Sequence, residues 1–83
     1  SWLDAGMFIQ NVMIAARAHG LDTCPQEAWC SHGAALRRAV PQIPAENVIL
    51  TGMALGYEDK TAPENTLVTE RAPLEEFVTF LKD

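Results

Sequence analysis

Trp2-Leu-Asp-Ala-Gly-Met-Phe-Ile-Gln-Asn-Val-Met-Ile-Ala-Ala-Arg-Ala-His-Gly20 contains the most apolar stretch of the chain, Ala5 to Ala18. From Trp2 to His19 nearly every residue forms or tolerates a helix, and Gly20 stands where a left-handed C-terminal cap would end it. Its polar members, Asp4, Gln10, Asn11, Arg17 and His19, are too sparse to make a wetted face. A helix apolar around most of its circumference is expected at the centre of a larger core or in a subunit interface, not on the surface of a small monomer. The stretch is interrupted by Gln10, Asn11 and Arg17 and falls short of the ~18 to 20 apolar residues a bilayer span needs. A soluble, cytoplasmic protein is therefore expected, with no membrane partner.

The whole chain has 83 residues, 48% apolar and 20% charged. That is too hydrophobic for disorder and too short for two independent cores. A domain of this size buries only roughly 60 to 65% of its unfolded surface, so it is marginal without staples or a partner. The chain opens Ser1-Trp2-Leu3 straight into the apolar helix, the pattern expected of a segment cut from a longer protein. The net charge is -5. In residues 1–41 acids and bases cancel, so the whole excess of acid lies in residues 42–83. Nucleic-acid binding is excluded on this balance, since phosphate backbones are held by clustered cations.

Beyond Gly20, Thr23 and Cys24 read as a short extended piece leading into a loop, because Pro25 suits neither a helix interior nor a paired central strand. Ser31 is placed to cap a second helix running to about Val40 and stopped by Pro41. The run Asn47-Val-Ile-Leu-Thr-Gly-Met-Ala-Leu-Gly56 lacks alternation, as expected for a central strand buried on both faces; Gly52 and Gly56 inside it mark a bulge or a close backbone approach. Tyr57 to Asn65 reads as loop and Thr66 to Thr69 as extended. Pro73 suits the first position of a short last helix, with Leu74, Phe77, Val78 and Leu81 on one face.

Few residues carry recognisable chemistry. Cys24 and Cys30, with His19 and His32 nearby in sequence, lack the short spacing of a zinc knuckle and read as reduced thiols, so no metal site is expected. No nucleophile, base and acid fall into a catalytic spacing, and no side chain is singled out as catalytic. Two features stand apart. In Thr23-Cys-Pro-Gln-Glu-Ala-Trp29 a proline-restrained turn presents consecutive backbone amides near Glu27 and Ala28, which could meet a flat heteroaromatic ligand with Trp29 packed alongside; the plainer reading is a connecting loop. Arg71 is an isolated cation in an acidic tail, either a surface partner of Glu70 or Glu75 or a guanidinium fork for a phosphate.

Taken in order, the helix Asp4 to Leu21, the loop Thr23 to Trp29, the strand ending Leu55-Gly56-Tyr57 and the terminal Arg71-Ala-Pro-Leu-Glu-Glu-Phe77 resemble the C-terminal half of the FMN-dependent nitroreductase family, across essentially all 83 residues. The resemblance implies an α+β, nitroreductase-like fold with a buried core helix, a central strand and a C-terminal helix. It implies that residues 1–83 are the C-terminal segment of one domain whose N-terminal half is missing here. It also implies a homodimer with FMN at the subunit interface. Members of the family pass a hydride from NADH or NADPH to the flavin and then reduce nitroaromatics, quinones or related small aromatic acceptors in a ping-pong cycle, the cofactor carrying the chemistry.

Residue by residue, Pro25, Gln26, Glu27 and Ala28 resemble the family's loop beside the isoalloxazine, with a backbone N–H near Glu27 directed at flavin N5; many relatives have Gly where Ala28 stands. Arg71 resembles the arginine that binds the FMN phosphate, with Thr69 where some relatives carry a lysine. The Arg- and Ser-rich motif of the family's N-terminal half has no counterpart in these residues. Weak or absent FMN binding by the isolated segment is the expectation. The alternative to an enzyme is a non-catalytic dimerisation or packing module without flavin.

Overall fold

The structure is a computed structural model and describes residues 1–82. Helix α1 spans Trp2–Ala18. Its end follows from Gly20, the residue with positive φ, at +75°. There the Gly20 N–H donates to the Arg17 carbonyl at 3.0 Å and the Leu21 N–H to the Ala16 carbonyl at 2.9 Å. These are the paired bonds of a Schellman ending, and only glycine enters that backbone region without a Cβ penalty. The chain reverses within three residues and enters strand β1, Asp22–Gln26. Arg17 Nη1 donates to Asp22 Oδ1 at 2.7 Å, pinning the last turn of the helix to the first residue of the strand.

Strand β2, Gly52–Gly56, pairs antiparallel with β1 in the register Asp22 to Gly56, Cys24 to Ala54 and Gln26 to Gly52. Between them lie a 3₁₀ segment, Glu27–His32, and helix α2, Gly33–Ala39. Two further 3₁₀ turns, Pro63–Thr66 and Leu74–Glu76, follow β2. The class is α+β, as the family resemblance implies: among the described residues, two helices and one two-stranded antiparallel sheet.

Several elements differ from expectation. Pro25 lies within the ladder, opposite Met53. A two-stranded sheet leaves each strand a free edge, and proline is tolerated where its nitrogen turns to that edge. Ser31 caps nothing: it sits inside the 3₁₀ segment, and His32 precedes the shorter α2. The apolar run 47–56 is strand only over its last half, and no residue of it is fully buried, because a two-stranded sheet has no central strand. Thr66 closes a 3₁₀ turn instead of opening an extended piece. The expected last helix is reduced to the turn Leu74–Glu76, with Pro73 as its cap; Phe77 and Leu81 stay exposed, and an amphipathic helix gains little without a surface to cover.

The core sits where α1 lies on the sheet. Ala5, Ile9 and Met13 are half-covered and Ala16 is buried, a single stripe at helical spacing. Phe8 and Ile9 face Leu50, Gly52 and Met53 across an apolar groove. The other sides of α1 are bare, with Leu3 79% and Phe8 69% exposed, so within these residues the expected buried core helix is covered along one edge alone. The radius of gyration is 17.3 Å, whereas a compact domain of this length has about 12 Å. No helix among the described residues is long and apolar enough to cross a membrane.

Candidate functional site

The segment Pro25–Ala28 straddles the end of β1 and the start of the 3₁₀ segment. Gln26 is extended, at φ -130° and ψ 92°, and the chain then tightens at Glu27. The first amides of any helical turn have no intrahelical acceptor. Here no side chain caps them. The Gln26 amide is engaged elsewhere: its Oε1 accepts the Trp29 indole Nε1–H at 2.9 Å. Glu27 and Ala28 therefore present two neighbouring backbone donors at the end of a strand.

Trp29 is tied to the start of that segment through Gln26. Its ring lies over the backbone of Gly52, the residue paired with Gln26. A Cβ built on Gly52 falls 2.7 Å from Trp29 Cγ and 2.9 Å from Nε1, and nearer still to Cδ1, so the indole occupies the space a side chain would need. Trp29 and Gly52 also line a cleft with Leu36, Ile43 and Ile49, which brings α2 up to the sheet. Arg37 adds a second tie by donating from Nη2 to the Asn47 carbonyl. The glycine inside the apolar run was the available signal for the Gly52 contact; its partner Trp29 could not be read from sequence.

Arg71 is exposed in the irregular chain before Leu74–Glu76. Its Nη1 donates to Thr69 Oγ1 at 2.6 Å and to the Glu70 carbonyl at 2.9 Å. Among the described residues it forms no ion pair with Glu70 or Glu75, and no hydrogen bond joins it to Pro25–Ala28. Pro25, Gln26, Glu27 and Ala28 thus form one continuous segment, to which Arg71 makes no hydrogen bond among the described residues. Cys24 and Cys30 are exposed free thiols.

A polar turn closes the other end of the sheet. Asp59 Oδ1 accepts from the Thr61 hydroxyl at 2.7 Å and the Thr61 amide at 2.9 Å. These bonds, the hydroxyl first, hold its carboxyl below the usual carboxylate range by favouring the ionised form. Asn65 Nδ2 donates to the Asp59 carbonyl at 2.7 Å and completes the turn.

The model of the nitroreductase family matches residues 1–57, which take in α1, both strands and Pro25–Ala28. The chain belongs to the nitroreductase family. Among relatives of this nitroreductase-family chain, a nitrobenzene nitroreductase of Ectopseudomonas oleovorans is 39% identical over 83 residues, covering 100% of this chain and 36% of that protein. A 4-nitrobenzoate reductase of Nocardioides sp. is 40% identical over 81 residues, covering 98% of this chain and 32% of that one. Among solved structures, an FMN and NADPH-dependent nitroreductase from sphigopyxis sp. strain HMH superposes with a TM-score of 0.87 at 34% identity, over 99% of this chain and 36% of the other. The chain therefore spans about a third of the length of these relatives.

Proposed function

We propose that this chain is the C-terminal part of an FMN-dependent NAD(P)H oxidoreductase that reduces nitroaromatics or quinones, and that it supplies one wall of the flavin site. The observation that carries the reading is the uncapped Glu27–Ala28 pair of amides at the end of β1, in a chain that belongs to the nitroreductase family. The names borne by its relatives, which include nitrobenzene and nitrobenzoate reductases, support the substrate class.

The residues present fit the cofactor. Glu27 and Ala28 offer N–H donors without side-chain partners, suited to the acceptor atoms along a flavin's edge. Pro25 restricts the backbone before them and Gln26 keeps its side chain turned away toward Trp29. Arg71 spends one nitrogen on Thr69 and Glu70, so the rest of its fork is open to a phosphate. When bound, FMN supplies the hydride chemistry and the protein supplies position and electrostatics. In this reading oxidised nicotinamide leaves before the aromatic acceptor enters, a ping-pong order. The bare sides of α1 support a homodimer, in which they would be covered. The free thiols Cys24 and Cys30 suit a reducing, cytoplasmic setting.

The test uses the full-length protein that contains these residues. Its visible flavin absorbance is expected to bleach under NADH or NADPH without an acceptor and to return when nitrobenzene or a quinone is added. The uncovered α1 surface also favours a second reading, a packing or dimerisation module without flavin; a colourless oligomer that stays colourless after FMN is added would establish that one instead.

A further inference from the structure

We propose that Trp29 is a positioning residue for the flavin-facing peptide, acting through Gln26 and made possible by the missing side chain at Gly52. This rests on the reading that the Glu27 and Ala28 amides meet the flavin. Three observations converge on the indole. Its N–H is held by Gln26 Oε1 at 2.9 Å, so residues 26 and 29 are tied across the very peptides that carry the exposed donors. Its ring rests on Gly52 so closely that a Cβ there would overlap it. Gly52 in turn is the ladder partner of Gln26, so one strand pair fixes both ends of the clamp.

The clamp has a direct chemical consequence. The indole N–H donates and Gln26 Oε1 accepts, which closes a small ring through residues 26–29 and restricts the angle at which the Glu27 and Ala28 amides face outward. A donor aimed at flavin N5 favours the oxidised cofactor, in which N5 is an acceptor, over the reduced one, in which N5 carries hydrogen. Loosening the clamp is therefore expected to weaken FMN binding and raise the flavin midpoint potential.

The experiment uses the full-length flavoprotein, with Trp29→Phe and Gln26→Leu singly and together, and Gly52→Ala as an independent route that displaces the ring without touching the hydrogen-bonding groups. FMN affinity is read by titrating the apoprotein, and the potential by equilibration with a reference dye. Each single variant is expected to bind oxidised FMN about 3- to 10-fold more weakly, the range of one net neutral hydrogen bond. The corresponding rise in potential is about 15 to 30 mV for a two-electron couple. The double variant is expected to lose no more than either single, because both remove one bond. Gly52→Ala is expected to shift the potential in the same direction, and to add nothing once Trp29 is replaced by alanine. A role for Trp29 in core packing alone would lower the melting temperature and leave the potential where it was. Wild-type affinity and potential in Trp29→Phe and Gln26→Leu, or additive losses in the double variant, overturn the inference while the flavin reading stands. A full-length wild-type protein that binds no FMN overturns both.

Discussion

Single residues set two local geometries here. Gly20 holds φ +75° so that the last carbonyls of α1 find donors. Placing a Cβ there, as in Gly20→Ala, is expected to cost about 1 to 2 kcal/mol, the usual penalty of a left-handed backbone, with the helix itself intact. Urea unfolding of the full-length protein measures it; an unchanged midpoint would show that the turn relaxes freely. Asp59 gives a pH signature. Its carboxyl is more acidic in the folded chain than the ordinary value of 3.8, owing first to the Thr61 hydroxyl. A depressed carboxylate pKa contributes stability that is complete above the unfolded value and is lost as pH falls through the folded one. Thr61→Val removes the hydroxyl donor, so the Asp59 carboxyl is expected to titrate closer to 3.8 in a carbon-detected NMR titration, and the stability that its lowered pKa contributes at neutral pH is expected to shrink.

Among the elements, α1 and its end were legible because they depend on neighbours in sequence: helix formers throughout, then one glycine. The strands were half legible. Pro25 argued against pairing, and only the identity of the partner strand, far along the chain, shows that the ladder has an open edge to receive it. The last helix failed for the converse reason: its apolar face is in the sequence, while the surface it would cover is not among these residues. The loop Pro25–Ala28 was singled out through its family resemblance, and Gly52 through its place in an apolar run; the contact of Trp29 with Gly52 required the fold. The joint between α1 and β1 rests on the Arg17–Asp22 pair at 2.7 Å, with side chains 66% and 38% exposed. Asp22→Asn is expected to cost no more than about 0.5 to 1 kcal/mol, and a difference that persists undiminished in molar salt would contradict this screened, half-exposed assignment.

At the level of the whole chain, the accessible surface is 7523 Å². A folded monomer of this mass has roughly 4,900 Å². The excess, on the order of 2,600 Å², is in the range that permanent subunit and domain interfaces bury. Exposed apolar side chains lie on α1, along the middle of the chain as at Val48, Leu55 and Tyr57, and from Leu67 to Leu81. The isolated 83-residue chain is therefore expected to bind a hydrophobic dye, to associate, and to lack a cooperative thermal transition. A sharp, concentration-independent transition would show that these residues fold without cover. The short turn at Gly20 carries a kinetic consequence as well. It brings α1 and β1 together across three residues, whereas β1 meets β2 only after the chain closes residues 27–51. A loop about eight times longer adds about 2 kcal/mol of closure entropy, so the helix–strand joint can form early while the strand pair waits. The peptide that follows β1 is then among the last parts of the fold to be set, an order that hydrogen exchange at the paired amides of the β1–β2 ladder during refolding would read directly.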